Sequence, residues 1–599
     1  MVRAHLGTTM NIKNSVNVIL YASLGAIGGL VSPIDCNAQT LSMVTLDQGK
    51  DWTDDVRIDF YKRNQGSRII PLSWAEALKQ PNGKPFLDGS LSRYGYLPNE
   101  RTIKLGLPVG FTVAVGNSVQ GGSEVLGMNC SACHTRQIKM GGVNYRVDGG
   151  PALVDFQAFL ADLDAAVSGV LSHEDKFADF AKLVVGADAP DSDKKELKDQ
   201  LTAWYKPYHA LMSKALPNPG WGLGRLDAVG MILNRVTGLD IGTSADRIIP
   251  ENIRAAIAPV RYPFLWDAPK QDMTQWPGLT DNGSDILALA RNLGQVYGVF
   301  ANYQPKKSWT KLILNVNYLN NTSVDFDGLE SIESMVKKIG PPKFPLGTDL
   351  ALVARGEAIF NRDQPAHDTQ PQTGGCVYCH GIKPGATRFL NNQTWKTPLQ
   401  DVGTDSAQYE LLGWTAKTGV LKGASIPFVH DSLGESEKAV DILRISVVGS
   451  ILQYYVPIAL AQSQKAKDGE FRTQANPFDP NTEQLKGVYV LPTDTKIIKY
   501  ESRVMRGIWA TAPYLHNGSV PTLADLLKRD SDRPASFKIG NNYDPDKVGL
   551  AQEQPDSPYV VTTTDCRQRN SGNSRCGHNF GVDLSDEDKK ALLEYLKTL

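Results

Sequence analysis

The pentapeptide Cys376-Val-Tyr-Cys379-His380 decides the fold and chemistry of this chain, and Cys130-Ser-Ala-Cys133-His134 repeats its pattern. We name these the second motif and the first motif. Two thiols three residues apart lie on one turn, where they reach the two vinyl groups of one haem as thioethers, and the adjacent imidazole then lies beneath the iron. A redox dithiol or half of a zinc site is the alternative, but neither explains a histidine after the second cysteine in both places. The sequence therefore predicts two covalently bound haem c groups, with His134 and His380 as proximal ligands.

The sequence around the second motif is typical of a cytochrome c domain. A helical pattern runs from Ala351 to Phe360, and Gly356 within it is small enough for a close helix contact. Near the C-terminus, Ser585 can cap a further helix with Asp588 at the capping-box position. Apolar side chains then recur on one face of that helix, at Leu592, Tyr595, Leu596 and Leu599. Two terminal helices that cross around a haem loop are the cytochrome c arrangement.

We therefore expect a mainly α fold, with two cytochrome c-like haem domains, extensive irregular loops and little sheet. The 599 residues suffice for two or three domains, and the 54 glycines and 35 prolines predict long irregular segments. A stiff linker at Pro341, Pro342 and Pro345 places the domain boundary near residue 345. Residues 39–344 would form the N-terminal domain with the active haem, and residues 345–599 the C-terminal domain.

The N-terminus has the layout of a cleaved secretory signal over residues 1–38. Lys13 precedes a mostly apolar stretch, residues 16–31, and Cys36-Asn37-Ala38 offers small residues for cleavage after Ala38. A membrane anchor is the alternative, but the apolar run is short and interrupted. Lipidation at Cys36 is the weaker option. The signal predicts a periplasmic or secreted protein.

Three further observations bear on the compartment, the partners and a membrane span. Cys566 and Cys576 remain as a pair once the motifs are assigned, and a disulfide between them fits an oxidising compartment, although spacing alone does not establish the bridge. The net charge of −1, without a basic block, excludes a nucleic-acid partner. The apolar segment 439–461 contains Asp441, Arg444 and Pro457, which favour a buried helix over a membrane span.

Axial ligands are assigned from the remaining histidines. His516 lies in the apolar segment 506–523, which turns sharply at Asn517-Gly518, and such a turn can present an imidazole to a buried metal. We predict His516 as the distal ligand of the C-terminal haem. His578 is the second choice for this ligand, and a structural role is favoured for His578. The N-terminal haem then keeps an open or exchangeable position, which makes it the reactive centre. Arg225 can hold a haem propionate, although an ion pair with Asp227 explains it nearly as well.

Several segments besides the two motifs resemble the di-haem cytochrome c peroxidase superfamily, and within it the branch of rubber oxygenases and di-haem fatty-acid dioxygenases. The resemblance extends from about residue 50 to the C-terminus. It is carried by Ala-Pro-Tyr-Leu-His-Asn-Gly-Ser-Val-Pro-Thr-Leu (512–523), Asn-Gln-Gly-Ser-Arg-Ile-Ile-Pro (64–71), Cys-His-Thr-Arg-Gln-Ile (133–138), Arg-Val-Asp-Gly-Gly-Pro-Ala (146–152) and Tyr-Pro-Phe-Leu-Trp-Asp (262–267).

The resemblance implies an exported dioxygenase that adds dioxygen to a carbon–carbon double bond at the N-terminal haem, giving a hydroperoxide or cleaved carbonyls. It also implies ligation of the C-terminal haem by His380 and His516, whereas peroxidases of the superfamily usually use methionine, for which Met505 is available. The substrate would be an unsaturated lipid, an oleate-type fatty acid first and polyisoprene second, with a small electron-donor protein as a further partner. A hydrogen-peroxide-reducing peroxidase and a non-catalytic electron carrier are the alternatives.

A long unsaturated substrate needs an apolar channel to the open haem. We assign Trp266 and Trp276 to the catalytic pocket as channel-lining residues, together with Tyr297 and Phe300. The helix that contains Tyr297 and Phe300 is explained equally well as plain core.

Overall fold

The computed structural model describes residues 43–99, 106–115, 124–308, 314–362, 375–388, 392–427, 429–467, 484–491 and 498–599. The chain from Ser42 to Leu599 forms one compact unit. The signal predicted for residues 1–38 lies outside the described residues, and the domain boundary near residue 345 stays a prediction.

Helices form where apolar residues recur at helical spacing and a side chain caps the first turn. In the helix Phe156–Ser172, for example, the Asp155 carboxylate accepts a hydrogen bond from the backbone N–H of Ala158 at 2.9 Å. The α-helices are Asp54–Lys62, Leu72–Ala77, Phe156–Ser172, Glu174–Val184, Asp191–Ala215, Ala228–Leu239, Asp285–Gly298, Phe326–Val336, Leu350–Phe360, Val377–His380, Ala407–Leu411, Ala439–Lys467, Leu523–Leu526 and Asp586–Leu596.

Short strands are far more numerous than the sequence suggested, and they pair into small sheets of two or three strands. They are Met43–Thr45, Ile70–Pro71, Phe111–Val115, Glu124–Met128, Thr135–Met140, Val143–Asp148, Arg225–Leu226, Val260–Arg261, Met273–Thr274, Thr280–Asp281, Lys306–Lys307, Val316–Asn317, Pro384–Thr387, Gln393–Trp395, Leu399–Gln400, Thr415–Lys417, Ser436–Lys438, Tyr500–Glu501, Ser536–Lys538, Tyr543–Asp544, Gly549–Leu550 and Val560–Thr562.

The expectation of a mainly α fold with little sheet is therefore wrong, and the fold is mixed. The physical reasons are that short strands distant in sequence pair with each other and that a Gly-rich connection forms a tight hairpin instead of an irregular loop. Gly141 and Gly142 both adopt positive φ, +55° and +80°, which closes the hairpin between Thr135–Met140 and Val143–Asp148. A Gly-Gly pair between alternating strands was the sequence signal for this hairpin.

Two three-stranded sheets flank the first motif. Glu124–Met128 is the central strand of one sheet and ends two residues before Cys130. Thr135–Met140 begins the other sheet directly after His134. The motif is thus fixed at both ends by hydrogen-bonded strands.

The C-terminal helix packs across Leu350–Phe360, as the sequence predicted. The Ser585 hydroxyl oxygen accepts a hydrogen bond from the N–H of Asp588 at 3.1 Å, which begins the helix Asp586–Leu596. The helices cross at Gly356, where a Cβ atom would lie 2.1 Å from the carbonyl oxygen of Ala591. Only glycine therefore permits this closeness of approach.

The apolar segment of residues 439–461 lies in the helix Ala439–Lys467, whose first half is largely buried in a core with Leu293 and Tyr318. In the part of the chain that the structure describes, no helix combines the length and the hydropathy needed to span a membrane.

Candidate functional site

The first motif presents its two thiols from a single turn. Cys130–Ala132 form a turn of 3-10 helix, and the Asn129 side-chain oxygen caps it by accepting a hydrogen bond from the N–H of Ser131 at 2.9 Å. The Asn129 amide nitrogen donates to the carbonyl oxygen of Phe60 at 2.8 Å. Neither motif cysteine is in a disulfide. The turn is therefore fixed to its surroundings while its thiols stay available.

Burial sets the protonation of the first motif. It raises the pKa of Cys130 to about 11 and that of Cys133 to about 12, and it lowers the pKa of His134 to about 4. His134 is therefore a neutral imidazole at neutral pH, which is the form that ligates metals. Two free thiols and a neutral imidazole on adjacent residues fit covalent haem c.

The second motif lines a cavity of about 430 Å³. Val377–His380 form one helical turn, and the Cys376 and Cys379 thiols and the His380 imidazole all face this cavity. The His380 Nδ1 lies 2.8 Å from the carbonyl oxygen of Arg503, which can only accept, so Nδ1 carries the proton. The Nε2 atom is thereby left without a proton, as an iron ligand requires.

His578 also lines the cavity of the second motif. Its ring centroid lies 6.1 Å from that of His380, with 47° between the ring planes. Two imidazoles that ligate one iron from opposite sides have centroids about 6 Å apart, given metal–nitrogen bonds of about 2 Å. The His578 Nδ1 atom is buried without a hydrogen-bond partner among the described residues. This spacing fits a haem with two histidine ligands.

His516 lies in a different environment from His578. It is not among the residues that line this cavity, whereas Met505 is. Its ring stacks on that of Tyr500, with centroids 4.1 Å apart, and lies 6.4 Å from the ring of Trp276. Of these two histidines, His578 lines the cavity, and the ligand role assigned to His516 stays a prediction.

Two buried arginines lie side by side near His516. Arg225 and Arg261 are cross-strand partners, each about 5% exposed, and the backbone N–H of Arg261 donates to the carbonyl oxygen of His516 at 2.8 Å. Desolvation lowers the pKa of both guanidinium groups to about 10. Among the described residues neither forms an ion pair with a carboxylate. Two adjacent buried cations without such partners fit the paired carboxylates of haem propionates.

Asp227, the alternative partner predicted for Arg225, is a helix-capping residue instead. Its carboxylate accepts hydrogen bonds from the N–H of Gly230 at 2.8 Å and from the N–H of Ala258 at 3.0 Å, so that it caps the helix Ala228–Leu239. Arg225 instead donates to the side-chain oxygen of Asn573 at 2.6 Å. The Arg225 charge is therefore not neutralised by Asp227.

Trp276 lies between two of the buried arginines. The guanidinium carbon of Arg261 is 5.1 Å from its ring centroid and that of Arg503 is 5.0 Å away. Because the Arg503 carbonyl oxygen also accepts the hydrogen bond from His380, Arg503 connects the second motif to this indole. Trp276 also packs in a hydrophobic core, and the channel-lining role assigned to it stays a prediction.

Trp266 lies in the core. It is fully buried, stacks on Phe264 at 4.9 Å, and donates its indole N–H to the carbonyl oxygen of Arg506 at 2.7 Å. Tyr297 is likewise buried, with its hydroxyl 2.8 Å from that of Ser450. The structure gives these residues packing roles, and the pocket role assigned to Trp266 stays a prediction.

Comparison with known proteins gives a match to one family model. Residues 499–538 match the family described as "RoxA-like, cytochrome c-like". The matched segment contains Arg503, His516 and Arg533. It supports a link to the cytochrome c family and to covalent haem. It also corrects the expectation of two cytochrome c-like domains, because the match covers a single segment.

Two proteins of Sinorhizobium fredii (strain NBRC 101917 / NGR234) are similar to this chain. The uncharacterized protein y4iJ is 28% identical over 609 residues, which covers 92% of each chain. The uncharacterized protein y4iM is 25% identical over 354 residues, covering 56% of this chain and 63% of its own.

Proposed function

We propose that this chain is a two-haem c-type redox protein, with one haem on each motif. The support is the same in both places: two unbonded thiols on one turn and a histidine directly after the second thiol. The second haem would be held between His380 and His578, whose rings face each other at 6.1 Å. The buried arginines Arg225 and Arg261 would receive propionates.

The observation that carries the functional proposal is the difference between the two histidine environments. His380 faces a second imidazole across its cavity. The ring beside His134 is that of Tyr262, at 6.0 Å, and no histidine ring contacts His134 within the described residues. Burial raises the pKa of Tyr262 far above its ordinary value, so the phenol keeps its proton. We infer that the first iron keeps one axial position for a reactant.

A c-type haem with an open axial position supplies the binding and activation of dioxygen when it is bound. The chain's own residues prepare that chemistry. His134 offers a neutral imidazole from a turn fixed by Asn129. The Arg503 carbonyl oxygen holds the proton of His380 on Nδ1, and the Arg503 guanidinium lies over the Trp276 ring. These contacts support an oxidoreductase in which the second haem relays electrons to the first or tunes it.

The reaction we propose is dioxygenation of an unsaturated lipid, with an oleate-type fatty acid as first substrate and polyisoprene as second. The RoxA-like match over residues 499–538 supports a haem redox function, and the sequence resemblance suggests the substrate class. We also propose export, because the Cys566–Cys576 disulfide is typical of an oxidising compartment.

The direct test uses the purified holoprotein with oleate under isotopically labelled dioxygen, without peroxide. We expect oxygen uptake and a hydroperoxide that contains both labelled atoms. The variant His134→Ala is expected to lose this uptake, since it removes the proximal ligand of the first haem, whereas His209→Ala, at an exposed histidine, should retain it. Uptake with polyisoprene alone would move the substrate to rubber. Peroxide consumption without oxygen uptake would mean a peroxidase, and two low-spin irons that ignore added cyanide would mean a carrier.

A specific observation keeps the peroxidase alternative open. Peroxidases need an acid–base group near the reactive haem. Glu333 is a buried carboxylate that lines a cavity of about 470 Å³ and pairs with Arg291. Its Oε2 accepts a hydrogen bond from Asn292 at 3.1 Å, and its Oε1 has no partner among the described residues. The measurement of peroxide consumption therefore includes the variant Glu333→Gln. A peroxidase that uses Glu333 as its acid–base group should lose peroxide consumption in this variant.

The ligand assignment at the second haem predicts a spectroscopic difference between two variants. His578→Ala is expected to remove one of the two imidazoles, so that the low-spin signal of the second haem is lost and cyanide or imidazole binds there. His516→Ala, which removes a ring stacked on Tyr500, should leave that low-spin signal intact. Electron paramagnetic resonance of the ferric proteins measures both. The reverse pattern would restore His516 as the ligand.

A further inference from the structure

A disulfide and several hydrogen bonds fix the segment that contains His578. The Cys566–Cys576 disulfide closes a loop that ends two residues before His578. The carboxylate oxygen Oδ2 of Asp530 accepts hydrogen bonds from the N–H of Gly577 at 3.2 Å and from the side-chain amide of Asn579 at 3.0 Å. Asp530 therefore holds the backbone of the residue before His578 and the side chain of the residue after it.

Arg533 holds the same segment by donating hydrogen bonds to the segment's carbonyl oxygens. Its Nη1 donates to the carbonyl oxygens of Arg575 at 2.7 Å and Gly577 at 2.6 Å, and its Nη2 donates to that of His578 at 3.1 Å. The residue is 3% exposed, and burial lowers its pKa to about 10. Two longer contacts of 3.4 Å join its Nη2 to the carbonyl oxygen of Leu526 and to the side-chain oxygen of Asn579. A buried guanidinium whose three shortest hydrogen bonds go to carbonyl groups of one short segment holds that segment in a fixed, planar arrangement.

The backbone of His578 needs such an arrangement. Its φ is +53°, in the left-handed region that residues other than glycine seldom adopt. Its N–H donates to the carbonyl oxygen of Val402 at 2.8 Å, and a Cβ atom at Gly577 would lie 2.3 Å from the carbonyl carbon of Gly403. A strained backbone conformation of this kind persists where several surrounding contacts hold it in place.

We propose that Arg533 is a positioning residue that holds the His578 imidazole opposite His380 by fixing the carbonyl groups of residues 575, 577 and 578. The proposal rests on the assignment of His578 as a haem ligand. Arg533 does not touch the haem in this role, and its effect reaches the iron through the backbone of one loop. It determines how tightly the second axial ligand is held, and therefore how readily an outside ligand replaces it.

The test compares two arginine-to-lysine variants of the holoprotein. Arg533→Lys keeps the charge but cannot donate to several carbonyl groups in one plane. Arg529→Lys is the matched control, because Arg529 is exposed and pairs with Asp583 at the surface. We expect Arg533→Lys to retain two haems per chain, to lose low-spin signal at the second haem, and to bind added imidazole there at least tenfold faster. Arg529→Lys should behave as the wild type.

Wild-type low-spin signal and ligand exchange in Arg533→Lys would overturn the proposal. If that variant does not accumulate with two haems, Arg533→Gln is used, since it keeps an amide donor without the buried charge, and the same shift is expected. His578→Ala separates the two levels of inference. A low-spin signal that survives His578→Ala would refute the ligand assignment itself, whereas its loss together with an unchanged Arg533 variant would refute only the role of Arg533.

Discussion

Replacing Cys376 and Cys379 with serine is expected to reduce the covalently bound haem from two per chain to one. Serine hydroxyls do not form the thioethers on which attachment depends, and the cavity of about 430 Å³ that the second motif lines would lose its covalent anchor. The pyridine haemochrome absorbance per mole of protein measures this ratio, and the intact mass of the denatured chain checks it independently.

The remaining cysteines supply the controls for that experiment. Cys130→Ser with Cys133→Ser should likewise leave one haem, and it should abolish the oxygen uptake assigned to the first motif. Cys566→Ser with Cys576→Ser removes the disulfide and should leave two haems attached. A double replacement in either motif that still carries two haems would contradict the assignment of one haem to each motif.

The variant Gly356→Ala is expected to destabilise the folded protein by about 2 kcal/mol. Alanine gains about 1 kcal/mol of helix propensity over glycine. Its Cβ atom, however, would lie 2.1 Å from the carbonyl oxygen of Ala591, and overpacking of this kind costs about 3 kcal/mol. The steric cost therefore exceeds the gain in propensity. The free energy of unfolding from urea titration of the holoprotein measures the difference.

Gly169→Ala is the matched control within a helix. Gly169 lies in Phe156–Ser172, and the nearest atom to its added Cβ would be the Lys176 Nζ at 3.9 Å. This variant should gain up to about 1 kcal/mol, because only the propensity term applies. Equal effects of the two replacements would mean that the helix crossing does not need a glycine.

The sequence predicted those features that depend on residues close together in the chain. The two motifs, the cap at Ser585, and the helix face with Leu592 and Leu596 each follow from local spacing. The Cys566–Cys576 bridge is confirmed, since a pair of leftover cysteines had one available pairing. Local chemistry was sufficient in all these cases.

The sheets and the placement of His578 beside His380 depend on distant pairings, and they were not predictable in the same way. The strand Arg225–Leu226 pairs with Val260–Arg261, and two-residue strands leave no periodic signal. His516 was preferred because its apolar neighbours suggested burial, and it is buried, but against Tyr500. The ring of His578 lies 6.1 Å from that of His380, and its segment is hydrogen-bonded to Arg533 and Val402, both of which are distant in sequence.

The close helix crossing at Gly356 has a consequence for the order of assembly of the protein. Ile359 from one of these helices and Leu592 and Leu596 from the other line the same cavity as Cys376 and Cys379. The proposed haem is a rigid macrocycle, and two helices in close backbone contact would form the wall beside the thiols that it has to reach. Under the proposed attachment of haem to these thiols, we expect cofactor insertion to precede the docking of the C-terminal helix.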